Sequence, residues 1–123
     1  MLNRPPNIIV LKSEKFADRI LKMYHYLSSK DNRNQDILRQ VLRSGTSIGA
    51  NTAEGQYAQS EADFLTKHTI ALKEANETKF WLERLHSTGD LSEKEFESIY
   101  QDIIEIIKIL TSITRTVKKK LNG

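Results

Sequence analysis

The chain has 123 residues, of which 38% are hydrophobic and 28% charged, and its formal net charge is +3. This length predicts one domain with one modest core. The absence of cysteine excludes disulfides, thiolate catalysis and sulfur-based zinc sites. No segment approaches the roughly 20 apolar residues of a membrane span, and Ile8–Leu11 is too short for the hydrophobic region of a signal peptide. We therefore expect a cytoplasmic protein with no membrane partner.

Charge is distributed unevenly along the chain. Residues 1–50 carry nine Lys or Arg against four Asp or Glu, and residues 51–107 carry five against twelve. Residues 108–123 carry five basic residues and no acidic one. Both ends of the sequence are basic, and basic surfaces suit phosphate backbones.

The first predicted helix covers about residues 13–29. Phe16, Ile20 and Leu27 recur in it at helical spacing. The polar turn Asp31–Asn34 breaks it.

The second predicted helix, about residues 35–55, contains a stretch that resembles a loop. Its two internal glycines each cost roughly 1 kcal/mol relative to alanine in a helix. However, Gly45, Gly49 and Ala53 recur at every fourth position and form a smooth stripe that lets another backbone approach closely. A polar stripe at helical spacing lies on another side: Arg43, Ser47, Asn51 and Glu54. Two coherent stripes favour a helix in a crowded interface over a loop.

The third and fourth predicted helices cover about residues 61–88 and 93–121. Ser60 is the expected N-cap of the third, and Ser92 with Glu95 forms a capping box for the fourth. The apolar stripe of the fourth is broad, which is typical of a bundle helix; its central row is Phe96, Ile103, Leu110 and Val117. Four helices with short connections predict an all-α, up-down-up-down antiparallel four-helix bundle.

No set of residues indicates reaction chemistry. Glu83 and His86 match half of a di-iron motif, but the second pair and the further glutamates are missing. Glu74 and Glu77 near Trp81 allow two interpretations, a carboxylate pair for acid–base catalysis or a structural ion-pair network with Arg43. We favour the structural interpretation. The sequence therefore predicts no enzyme activity, no metal and no cofactor.

Basic residues gather at one predicted end of the bundle. An antiparallel arrangement brings the end of the fourth helix to the start of the first, and the opposite end holds acidic residues such as Glu93. The pattern fits a nucleic-acid-binding surface or a solvated helix terminus whose cations complement the helix dipole. The candidate residues are Lys12, Lys15, Arg19, Arg115, Lys118, Lys119 and Lys120, with Arg4 nearby in sequence.

Two segments resemble a known family. Leu42–Glu54 is similar to the first signature of the "four helix bundle protein" family, and Ala62–Phe64 followed by Ile70–Leu82 is similar to the second. Members of this family include proteins encoded in intervening sequences of bacterial 23S ribosomal RNA genes. Thr52 and Gly55 depart from the usual pattern, which has an aliphatic residue and alanine. The matching residues that we single out for packing or an interface are Arg43, Ser44, Gly45, Ser47, Gly49, Asn51, Glu54, Glu74, Glu77 and Trp81.

The resemblance implies an up-down bundle that assembles into a ring, a homopentamer. The chain is also similar to accessory proteins of diversity-generating retroelements, which form basic pentamers and work with nucleic acid and a reverse transcriptase. The leading hypothesis is therefore a non-enzymatic homo-oligomer that binds RNA, DNA or a nucleic-acid-associated protein. The alternative is a structural or regulatory scaffold that binds another protein, and an enzyme ranks third.

Overall fold

The computed structural model describes residues 7–31 and 33–123, which form four α-helices and, within those ranges, no strand. Helix α1 spans Ile8–Lys30, α2 spans Gln35–Gly55, α3 spans Glu61–Ser87 and α4 spans Glu93–Asn122. Each helix packs against the next along the chain, and α4 closes the bundle against α1. The α1–α4 pair is the most sparsely packed of the four. The predicted up-down-up-down four-helix bundle is confirmed.

Local capping signals set most helix ends. The Ser60 hydroxyl accepts a hydrogen bond from the Asp63 backbone, and Ser92 and Glu95 form a reciprocal capping box. Gly89, with φ of 83°, occupies the left-handed conformation in the short turn between α3 and α4. These interactions explain why α3 and α4 begin where the sequence predicts, whereas Asn34 precedes α2 without a side-chain cap.

Helix α1 begins five residues earlier than predicted. Asn7 caps it, because the side chain of Asn7 accepts a hydrogen bond from the Val10 backbone at 3.3 Å, and Ile9 and Val10 enter the core. Ser13, the expected first residue, lies buried inside the helix. Arg4, together with Asn32 of the predicted turn, lies outside the described residues.

The core follows the apolar stripe predicted for α4. Ile99, Ile103, Ile106 and Leu110 are buried in one cluster with side chains of the other three helices. A second, smaller cluster lies at the far end of α4, where Val117 packs with Phe64 of α3 and with Ala58 of the α2–α3 loop. This small cluster anchors the last turns of α4.

The small-residue stripe of α2 packs against α1 of the same chain. A Cβ added to Gly45 would lie 2.9 Å from Ile20 Cγ1, and one added to Gly49 would lie 3.3 Å from the Ser13 carbonyl oxygen. Glycine is therefore what allows α1 and α2 to approach so closely. The two glycines of the stripe therefore serve close packing of α2 on α1 within one chain.

Candidate nucleic-acid interface

The C-terminal part of α4 extends beyond the start of α1. Lys12 of α1 pairs with Glu105 of α4 at 2.5 Å, which aligns the first turn of α1 with the region near Ile109. At 1.5 Å per residue, α4 continues for roughly 20 Å past that level. There it lies beside the start of α3, where Lys120 approaches Glu61 at 4.0 Å.

Three cations on this extension are exposed and close together. Arg115, Lys118 and Lys119 line a shallow depression of about 400 Å³ with Asn122 and Gly123. None of the three makes an ion pair with another residue in the described part of the chain. Because no acidic residue occurs after position 107, this part of α4 carries uncompensated positive charge.

The three α1 cations occupy a different surface. Arg19 donates a hydrogen bond to Asp102 at 2.7 Å and contacts Ser98, while Lys12 is paired with Glu105. Lys15 is exposed beside these carboxylates. Asp102 lies thirteen residues before Arg115 on α4, which is about 20 Å along the helix axis. The seven candidate cations therefore form two groups, and the α1 group is partly neutralised by α4.

The acidic residues of α4 that divide the two groups are visible in the sequence. Asp102 and Glu105 are three residues apart, so they share one face of α4. We missed their role because we assigned charges to bundle ends without asking which face of α4 meets α1.

The Arg43 side chain joins α2 to α3. It contacts Glu74 at 3.1 Å and donates a hydrogen bond to Glu77, whose carboxylate also accepts one from the Trp81 indole at 3.1 Å. Partial burial favours the neutral form of Glu77, but the hydrogen bonds from Arg43 and Trp81 outweigh it and lower the pKa of that carboxyl. The hydrogen bond to Glu77 also raises the pKa of Arg43, against a smaller opposing effect of burial.

This network suits a structural clamp better than a general base. Both carboxylates are already engaged by Arg43, and a lowered pKa makes Glu77 a weak proton acceptor at neutral pH. The geometry therefore fits the structural interpretation of these residues.

Glu83 and His86 each bind a different partner. The Tyr100 hydroxyl donates to Glu83 at 2.5 Å, an interaction that, with burial, raises the pKa of Tyr100 to about 12. His86 contacts Glu93 at 2.7 Å and stacks on Phe96. Among the described residues, no group of three or more His, Asp or Glu side chains is arranged to hold a metal ion.

Comparison with known proteins places the chain in a family. The family model described as 23S rRNA-intervening sequence protein matches residues 6–112. The chain belongs to this family. A crystal structure at 1.70 Å of a protein with unknown function from the S23 ribosomal protein family of Bacteroides thetaiotaomicron VPI-5482 is 47% identical, with a TM-score of 0.79. The match covers 87% of this chain and 98% of that one.

No curated protein matches this chain. Within residues 7–31 and 33–123, no helix is both long enough and apolar enough to cross a bilayer. The family assignment confirms the resemblance in the two sequence segments.

The motif residues of this family member fit α2 into the bundle. Ser44 is buried, donates to the Gln40 carbonyl at 2.8 Å and accepts a hydrogen bond from Thr78 of α3 at 2.9 Å. Ser47 and Asn51 bond to carbonyls one turn earlier in α2, at 2.7 and 2.8 Å. Because these side chains donate hydrogen bonds to carbonyls of α2 itself, the helix can lie in a crowded position without leaving them unpaired.

The last turn of α2 is joined to α3 in two ways. Glu54 pairs with Lys67 at 3.3 Å. Gly55 abuts the buried ring of His68, since a Cβ added to Gly55 would lie 2.5 Å from His68 Cε1. The glycine that departs from the usual family pattern therefore makes room for this histidine.

Proposed function

We propose that this chain is a non-enzymatic homo-oligomer that binds nucleic acid through the exposed end of α4. The observation that carries the proposal is the group of unpaired cations Arg115, Lys118 and Lys119 on one exposed surface. Cations that are not committed to internal ion pairs are free to replace the counterions of a phosphate backbone. The α1 cations Lys12 and Arg19 already hold α4 carboxylates and contribute less.

The exposed aromatic pair on α3 supports self-association. Phe80 is 47% exposed and packs edge-on against Trp81, with the Arg84 guanidinium over its ring. Aromatic and arginine side chains are enriched at protein interfaces. We assign this face to contacts between copies of the chain, and the assembly we propose is the pentamer implied by the resemblance.

Charge reversal with a matched control tests the nucleic-acid surface. The double variant Lys118→Glu/Lys119→Glu changes net charge by the same amount as Lys15→Glu/Lys22→Glu, whose lysines are exposed on α1. Fluorescence anisotropy with a labelled RNA or DNA oligonucleotide should show about tenfold or greater weakening for the α4 variant, and a much smaller change for the α1 variant. Equal weakening of binding by the α4 and α1 variants would show that binding depends only on net charge, and would contradict the proposed surface.

Light scattering tests the assembly. The expected mass is five times the 14.2 kDa of one chain, and Phe80→Glu should lower it because a charge would enter an apolar contact. A monomeric mass for the unmodified protein would contradict the proposed oligomer. In that case the Phe80 face would fit the alternative, a scaffold that docks another protein.

A further inference from the structure

Tyr57, in the short loop between α2 and α3, is the most exposed large hydrophobic residue in the described part of the chain, at 70%. Two other exposed rings have a cation over one face: Lys30 lies over Tyr26, and Arg84 lies over Phe80. The Tyr57 ring has no such cation, no ring partner and no hydrogen bond from its hydroxyl among the described residues. Most of the Tyr57 side chain is therefore exposed to solvent.

The loop that carries Tyr57 is held firmly in place. The Tyr57 amide donates to the Glu54 carbonyl at 3.0 Å, and the Ala58 amide donates to the Gly55 carbonyl at 3.2 Å. Ala58 is buried, and the Gln59 amide donates to the Asp63 carboxylate at 3.2 Å. A ring displayed on an ordered loop loses little conformational entropy when a ligand binds to it.

The same loop adjoins the basic end of α4. Ala58 packs with Val117 in one small cluster. Tyr57 directly precedes Ala58 in the sequence, and Lys118 directly follows Val117. Of the nearby carboxylates, Glu54 pairs with Lys67, Glu61 pairs with Lys120, and Asp63 accepts a hydrogen bond from the Gln59 amide. Lys118 and Lys119, at this end of α4, have no ion-pair partner among the described residues.

We propose that Tyr57 is a stacking platform for an unpaired base, and that the ligand of the basic end is single-stranded nucleic acid. Lys118 and Lys119 would bind backbone phosphates while a base lies on the phenol ring. Base stacking on aromatic side chains is a common feature of proteins that bind single strands, because every base offers a π-face. A duplex hides those faces, so the ring gives preference for single strands. This inference rests on the function proposed for the basic end.

The test compares three oligonucleotides with the intact protein. These are a single-stranded RNA, a single-stranded DNA of the same sequence and a duplex of equal length, each titrated by fluorescence anisotropy at one salt concentration. Tyr57→Leu should weaken binding of both single strands about tenfold and leave duplex binding unchanged. Tyr57→Phe should retain single-strand binding, because it keeps the ring. The ratio of RNA to DNA affinity shows which sugar the surface prefers.

Tyr26→Leu is the matched control, since Tyr26 is an exposed tyrosine of α1, and it should change none of the three affinities. Circular dichroism should show unchanged helicity for all variants. Unchanged single-strand binding by Tyr57→Leu, or equal weakening of duplex binding, would overturn the stacking role and leave the basic surface standing. No binding of any oligonucleotide by the unmodified protein would overturn both proposals.

Discussion

Gly45→Ala should destabilise the bundle even though alanine is the better helix former. The added Cβ would lie 2.9 Å from Ile20 Cγ1 and 3.1 Å from Ile20 Cγ2, whereas carbon atoms pack best at roughly 3.5–4.0 Å. Ile20 is 0% exposed and β-branched, so its side chain cannot turn away. Such overpacking costs roughly 1–3 kcal/mol, and the gain in helix propensity is roughly 1 kcal/mol. We expect the free energy of unfolding to fall by about 1 kcal/mol.

Urea unfolding followed by circular dichroism at one protein concentration measures this change. Ala50→Gly is the matched calibration, because Ala50 is exposed in the same helix and reports the propensity difference of roughly 1 kcal/mol alone. In an Ile20→Ala background the nearest remaining Ile20 atom would be its Cβ, 3.4 Å from the new methyl group. There Gly45→Ala should raise the free energy of unfolding, so its effect should reverse sign.

Two results would refute this reasoning. If Gly45→Ala in the otherwise native sequence leaves the protein equally stable or more stable, the contact with Ile20 does not limit the approach of α1 to α2. If the substitution destabilises both backgrounds equally, the cost arises from something other than the Ile20 side chain.

Further predictions concern the polar contacts between helices. Glu77→Gln should destabilise the protein at neutral pH. Because the native pKa of Glu77 is lowered, its contribution is present above the unfolded pKa and is lost as pH falls through the native one, so urea unfolding should show the difference shrinking as the pH is lowered below the ordinary glutamate pKa. Tyr100 should ionise near pH 12 in a spectrophotometric titration, and Tyr100→Phe should remove that transition; ionisation of Tyr100 near the ordinary tyrosine value of about 10 would contradict the hydrogen bond to Glu83. Thr78→Val should cost roughly 0.5–1.5 kcal/mol in urea unfolding, because it removes the buried hydrogen bond to Ser44, whose hydroxyl stays bonded to Gln40; no loss would mean that this bond contributes nothing.

The helices could be predicted from sequence because their signals are local. The apolar period of α4, the capping box at Ser92 and the paired stripes of α2 each need only neighbouring residues. The start of α1 could not be predicted from such local signals alone. Asn7 caps a run of isoleucine and valine that is stable as helix because Ile9 and Val10 reach the core, and burial of that kind depends on tertiary packing.

The candidate surfaces were harder to predict because they depend on how the helices face one another. The Lys12–Glu105 and Arg19–Asp102 pairs follow from the face that α4 turns toward α1. Predicting which helix packs on the glycine stripe likewise requires knowing that Ile20 of α1 lies against Gly45. Tyr57 carried no sequence signal, since its exposure and the contact of the next residue, Ala58, with Val117 arise from the docking of the loop against α4.

The salt dependence of oligonucleotide binding tests the central claim most directly. Plotted as log K against log salt concentration, each phosphate contact to a single strand contributes a slope of about 0.7 in magnitude. Neutralising two contacts with Lys118→Gln/Lys119→Gln should therefore reduce the slope by about 1.4, while Lys15→Gln/Lys22→Gln should leave it nearly unchanged. The same slope for the unmodified protein and the α4 variant would show that these lysines do not contact phosphate, and would contradict the function proposed for this end of the bundle.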